Sequence, residues 1–66
     1  MENTIKVERA ILNLTQDDLA KIIGVSRQTI NSIEKNRYVP STVLALKLSK
    51  VFNKPVNDFF KLANDD

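Results

Sequence analysis

Gly24, the only glycine in the chain, does most to fix what residues 14–34 can become. It follows directly on Leu19, Ile22 and Ile23, which lie at i, i+3 and i+4 and predict one apolar stripe on a short helix. Glycine enters the left-handed region without the Cβ penalty, so that helix is expected to stop here. Only Val25 intervenes before Ser26, a good N-cap for a second helix from Arg27 to Glu34 or Lys35. Upstream, Thr15 is an N-cap of the first of these helices, and Asp18 three residues later completes an acidic capping box. Gln16, Asp17 and Asp18 fill a first turn where carboxylates favour the positive end of the helix dipole. The stretch therefore predicts two short helices joined by a tight turn.

The second of these helices divides into two faces. Ile30 and Ile33 can pack inward beside Val25, leaving Arg27, Gln28, Thr29, Asn31 and Ser32 outward or at the rim. No carboxylate is among those five. Arginine bonds guanine bidentately, glutamine and asparagine bond adenine, and serine or threonine serve either base. Such a helix, set across its predecessor by a tight turn, can present its N-terminal residues to the major groove. These five are the candidate base contacts.

The run TQDDLAKIIGVSRQTINSIEKNRYVPS resembles the Cro/phage-repressor (Xre) helix-turn-helix family. The matching pieces are Gln16–Ala20, Gly24, Ser26–Ile30, Ile33–Asn36 and Pro40–Ser41, and the likeness extends from about Thr4 to Phe60. Within the family the chain is most similar to the small dimeric regulators of the cytolysin-repressor type. The resemblance implies an all-α fold, a compact five-helix lambda-repressor-like DNA-binding domain spanning residues 1–66, with helices near 4–12, 16–23, 27–35, 42–52 and 56–60. It also suggests a short terminal β-ribbon pairing Glu2 to Ile5 with Lys61 to Ala63. A structural ion pair between Arg9 and Glu34, beneath the turn, is implied by the same likeness. Double-stranded DNA, an operator read in the major groove, is the implied partner, bound by a homodimer.

Charge distribution points the same way. The net charge is only +2, yet between Lys21 and Lys54 the seven bases Lys21, Arg27, Lys35, Arg37, Lys47, Lys50 and Lys54 face Glu34 alone. A basic stripe of this kind is the footprint of a polyanion. Candidate phosphate contacts are Gln16, Ser26, Lys35, Asn36, Arg37, Tyr38 and Ser41. Gln16 has two readings, a helix-starting polar residue or a phosphate ligand, and the family match favours the second. Tyr38 is either half buried in its loop or turned with its hydroxyl to a phosphate. Lys47, Lys50 and Lys54 fit a solvated helix face better.

Around this centre, Thr4 or Asn3 can cap a leading helix whose inner face would carry Ile5, Arg9 and Leu12. Asn13 is expected in a left-handed conformation at its end, and Asn36 likewise after the reader helix. Pro40 keeps Val39 out of a helix, and Ser41 caps the next, patterned by Val43, Leu44, Leu46, Leu48, Val51 and Phe52. Asn53-Lys54-Pro55 ends it, and proline opens a short fifth helix. Phe59 and Phe60 are adjacent, so only one is expected in the subunit core. The other, with Val56 and Leu62, is the candidate dimer interface.

The chain has neither cysteine nor histidine, which removes thiolate ligands, disulfides and the usual general base. No metal, cofactor or small-molecule ligand is expected, and no membrane segment, since the apolar runs are far shorter than the ~20 residues a span requires. The polar start MENTIKVERA is unlike a signal peptide, and a cytoplasmic location is expected. Asp17 and Asp18 point about 100° apart on a helix and do not make a catalytic dyad. The function expected is a sequence-specific transcriptional regulator, a repressor in the first instance. An antitoxin or protein-interaction module that binds a partner and autoregulates is the alternative.

Overall fold

The computed structural model describes residues 1–66. Four helices, α1 (Ile5–Ile11), α2 (Gln16–Ile23), α3 (Arg27–Glu34) and α4 (Thr42–Phe52), surround one core. Two short strands, β1 (Glu2–Asn3) and β2 (Phe60–Lys61), pair antiparallel with Glu2 opposite Lys61 and Asn3 opposite Phe60. The ribbon thus lies one to two residues away from the expected pairing on the C-terminal side. No helix is long and apolar enough to cross a membrane.

The expected fifth helix is a single 3₁₀ turn, Val56–Asp58. Pro55 starts it as anticipated, but Phe59 (φ −128°, ψ −4°) leaves helical geometry so that the next residues can join β1. That change of direction also overturns the expectation for Phe59 and Phe60. Both rings enter the same core, 1% and 6% exposed, because the backbone bends between a turn and a strand instead of continuing a helical spiral. Phe59 meets Phe52 edge-on at 5.1 Å and Phe60 at 5.2 Å between ring centres, a favoured aromatic geometry.

Helix ends follow local chemistry closely. Thr15 Oγ1 accepts from the Asp18 amide while Asp18 Oδ2 accepts from the Thr15 amide, both at 3.0 Å. Ser26 and Ser41 cap α3 and α4 by accepting from the amides of Thr29 and Leu44. Asn3 supplies the cap of α1, its Oδ1 accepting from the Ile5 amide, while Thr4 makes no side-chain cap. Asn13, Asn36 and Asn53 all hold positive φ, between 54° and 60°, at the ends of α1, α3 and α4. Asparagine tolerates this region better than other non-glycine residues, because its short amide can bond locally.

The core departs from the expected stripes in three places. Leu12 is exposed, since α1 ends at Ile11 and the chain turns at Asn13, sending Leu14 against the core instead. Glu8 takes the inner position on α1 and is buried, its carboxylate 2.8 Å from Lys54 Nζ. On α2 the buried set is Leu19, Ala20 and Ile23, while Ile22 points to solvent. Ala20 holds the inner place because α3 crosses closely after a three-residue link, and a single methyl fits there. Leu44, Leu48 and Phe52, spaced by four, are the inner face of α4, which leaves Val43 and Leu46 outside.

Candidate nucleic-acid interface

The angle between α2 and α3 is set by three residues. Gly24 sits at φ 75°, ψ 36° as the C-cap of α2, and both its amide and that of Val25 return to the Ala20 carbonyl. Val25 packs against the core, and Ser26 begins α3. Ile30 and Ile33 anchor α3 from beneath, both essentially inaccessible.

With those two residues buried, α3 stands as a polar ridge. Arg27 and Gln28 are exposed at its N-terminal end, and Thr29, Asn31 and Ser32 are half buried along it. On one side, Gln16, Arg27, Gln28 and Asn31 line a shallow groove. On the other, Ser26, Gln28, Thr29, Ser32, Arg37 and Tyr38 line a second. The five residues expected to contact bases therefore share one surface with most of those expected to contact phosphates. Thr29 differs from its neighbours in that its hydroxyl turns back to Ser26 Oγ at 2.9 Å, which leaves its methyl as the freer group.

Four of the expected phosphate contacts have partners within the protein. Gln16 Nε2 lies 3.3 Å from both Asn31 Oδ1 and Glu34 Oε1. Asn36 Oδ1 accepts from Asn3 Nδ2 at 2.9 Å, and the same Asn3 amide group donates to the Ile33 carbonyl at 2.8 Å. Ser26 and Ser41 accept cap bonds, and the Ser41 hydroxyl proton stays free to donate outward. Lys35, Arg37 and Tyr38 are exposed. Tyr38 is about half exposed, at 47%, and lines the groove beside α3.

Below the ridge, Arg9 Nε donates to Glu34 Oε2 at 2.7 Å and Arg9 Nη2 to Glu34 Oε1 at 3.1 Å. Arg9 Nη1 donates to the Leu14 carbonyl at 2.9 Å, tying the α1–α2 loop to the same pair. The hydrogen bond to Glu34 raises the Arg9 pKa above its ordinary value, against the opposing effect of burial. The basic stripe also sorts itself. Lys21 pairs with Asp17 on the exposed side of α2, Lys54 with Glu8, and Lys47 Nζ donates to the Ile23 carbonyl at the end of α2. Arg27, Lys35 and Arg37 form no ion pair and surround α3 with uncompensated positive charge. The Glu8–Lys54 pair had no sequence signal beyond an acid at i+3 from Ile5.

A helix-turn-helix family model matches residues 5–59, which takes in all four helices and the crossing just described. The chain belongs to the helix-turn-helix family. Other helix-turn-helix proteins align along its length. An uncharacterized HTH-type transcriptional regulator of Methanocaldococcus jannaschii is 52% identical over 66 residues, covering all of both chains. Another from Bacillus subtilis is 42% identical, again over the whole of both. The ImmF control region 10 kDa protein of Bacillus phage phi105 is 36% identical over 53 residues, 80% of this chain and 59% of that one. Among solved structures, the DNA-binding domain of the P22 c2 repressor superimposes with a TM-score of 0.74 at 27% identity, over 86% of this chain and 82% of that one.

Proposed function

We propose that this helix-turn-helix protein is a sequence-specific DNA-binding transcriptional regulator that acts as a repressor, occupying a two-fold symmetric operator as a homodimer. The observation that carries this reading is the outer face of α3. Arg27, Gln28, Thr29, Asn31 and Ser32 offer donors and acceptors without a carboxylate, and the uncompensated Arg27, Lys35 and Arg37 lie around them. Base edges demand the first set, and phosphates the second. The likeness to a phage repressor DNA-binding domain supports the repressor role.

A dimer has a suitable surface. Met1, Val39, Pro40, Ala45, Leu46 and Val56 line an open apolar groove whose floor is Phe60. Val39 and Leu46, both in its lining, are each about 60% exposed. Val56 and Phe60 thus border the proposed interface, but Phe60 is largely spent on its own core, so the exposed aliphatics of α4 and the preceding loop carry the contact. Leu62, the most exposed apolar residue, lies just beyond β2.

Footprinting on the DNA upstream of the gene, titrated against salt and random competitor, tests the proposal. Symmetric protection with half-site centres ~34 Å apart, persisting under competitor, is the expected result. Binding that random DNA abolishes would reduce the interface to a generic basic surface.

A further inference from the structure

Asn31 is held by a chain of hydrogen bonds whose direction is set at Arg9. Arginine only donates and carboxylate only accepts, so the Arg9–Glu34 pair admits one polarity. Glu34 Oε1 can then accept only the amino end of the Gln16 amide, Nε2, at 3.3 Å. That same Nε2 lies 3.3 Å from Asn31, so the Asn31 atom facing it is the oxygen, Oδ1. The amide of Asn31 is planar, and with Oδ1 turned towards α2, Nδ2 is left as the outward group at the groove shared with Gln16, Arg27 and Gln28. Each bond in the series fixes the orientation of the next. Gln28, by contrast, is exposed and has no partner within the protein, so its amide is free to turn either end outward.

This arrangement changes what Asn31 can recognise. Asparagine ordinarily reads adenine with both ends of its amide, accepting from N6 and donating to N7. With the oxygen drawn inward, adenine keeps only the bond to N7, and its N6 amino group finds no acceptor on Asn31. Guanine (N7, O6) and thymine (O4) present acceptors where Nδ2 presents donors, and cytosine presents a donor.

Resting on the DNA-binding reading above, we propose that Asn31 selects guanine or thymine, and that Gln16 is the positioning residue that imposes this choice. Gln16 thereby contributes to sequence selection, with both its Nε2 hydrogens committed within the protein. The Arg9–Glu34 pair acts on specificity through it.

Selection of binding sites from a random duplex library, with wild type and four variants, tests this directly. Thermal melting confirms that each variant is folded. Asn31→Ala should flatten the preference at one position of each half-site, where wild type takes guanine or thymine over adenine by about tenfold. Gln16→Ala and Gln16→Met, the latter keeping the side-chain stem, should admit adenine at that same position, with the ratio falling below about threefold and other positions unchanged. Asn31→Asp keeps an acceptor for Gln16 and places an acceptor outward, so preference there should move to cytosine or adenine; this arm holds even if the Gln16 variants fail to fold. A wild-type preference for adenine, Gln16 variants that weaken all sequences alike, or an Asn31→Ala profile identical to wild type would each overturn the inference while leaving the DNA-binding reading intact. A wild-type protein that selects no consensus at all would overturn that reading itself.

Discussion

Removing Arg9 is the most informative single perturbation of the fold. Its guanidinium makes two bonds to Glu34 and one to the Leu14 carbonyl, with the two side chains only 13% and 8% exposed. Arg9→Ala would leave a carboxylate largely cut off from water with only the long bond from Gln16, and would strip the donor from a loop carbonyl. Breaking one side of a buried pair costs about 3–5 kcal/mol. A 66-residue chain at ~0.05–0.15 kcal/mol per residue has about 3–10 kcal/mol in total. The variant should therefore sit near the edge of folding at 25 °C. At 4–8 °C per kcal/mol for a domain of this size, the midpoint should fall by at least about 12 °C. Thermal and urea unfolding followed by circular dichroism, beside the exposed control Lys50→Ala, gives the comparison. Replacing both partners, Arg9→Met with Glu34→Met, should recover most of the loss, because no charge is then stranded. An Arg9→Ala midpoint within about 4 °C of the Lys50→Ala control would refute the assignment of the pair as a buried clamp.

Four other outcomes are expected. Gly24→Ala meets no atom within 4 Å of the new Cβ, so its cost is backbone strain alone, about 1–2 kcal/mol, and Gly24→Asn should cost less; paired thermal melts check the order. Asp18 has its pKa lowered, chiefly by the Thr15 amide and then the Thr15 hydroxyl, so its contribution is complete above the ordinary value of 3.8 and disappears as pH falls through the lower folded value. Asp18→Asn should flatten that part of the stability–pH curve and lower the plateau above it, with no change of slope on the alkaline side. Lys35→Ala should weaken binding to all duplexes alike and reduce the salt slope by about 1, whereas Gln28→Ala should cost ~1–3 kcal/mol at one base pair, as competition titrations would resolve. Leu46→Lys should shift sedimentation towards the monomer without lowering the melting temperature of the subunit.

What the sequence made legible is what depends on near neighbours. The Thr15–Asp18 box, the Gly24 turn, the Ser26 and Ser41 caps and the left-handed Asn13 and Asn36 are decided within a few residues, and each is where its side-chain chemistry requires. The outward set on α3 follows from the same turn. Burial set by distant segments was not legible. Glu8 is inside because Lys54, 46 positions later, arrives to neutralise it, and Ile22 is outside because α3 crosses over Ala20. Phe59 and Phe60 share one core because the ribbon bends the chain between them, and the strand that does so is only two residues long. The engagement of Gln16 with Asn31 likewise needed the distance between two helices.

The ribbon also determines how the molecule would respond to force. Glu2 pairs with Lys61 and Asn3 with Phe60, and the Met1 amino group reaches the Asp66 carboxylate, so the chain ends lie together. Antiparallel bonds run perpendicular to their strands. Traction on the two ends would load these bonds along their own axes, one after another, so the ribbon would unzip at low tension instead of shearing. Asn3 would come next, and its bonds to the Ile33 carbonyl and Asn36 would pass the load to the C-terminal end of α3. A pull at the chain ends would therefore reach the reader helix as soon as the ribbon opens.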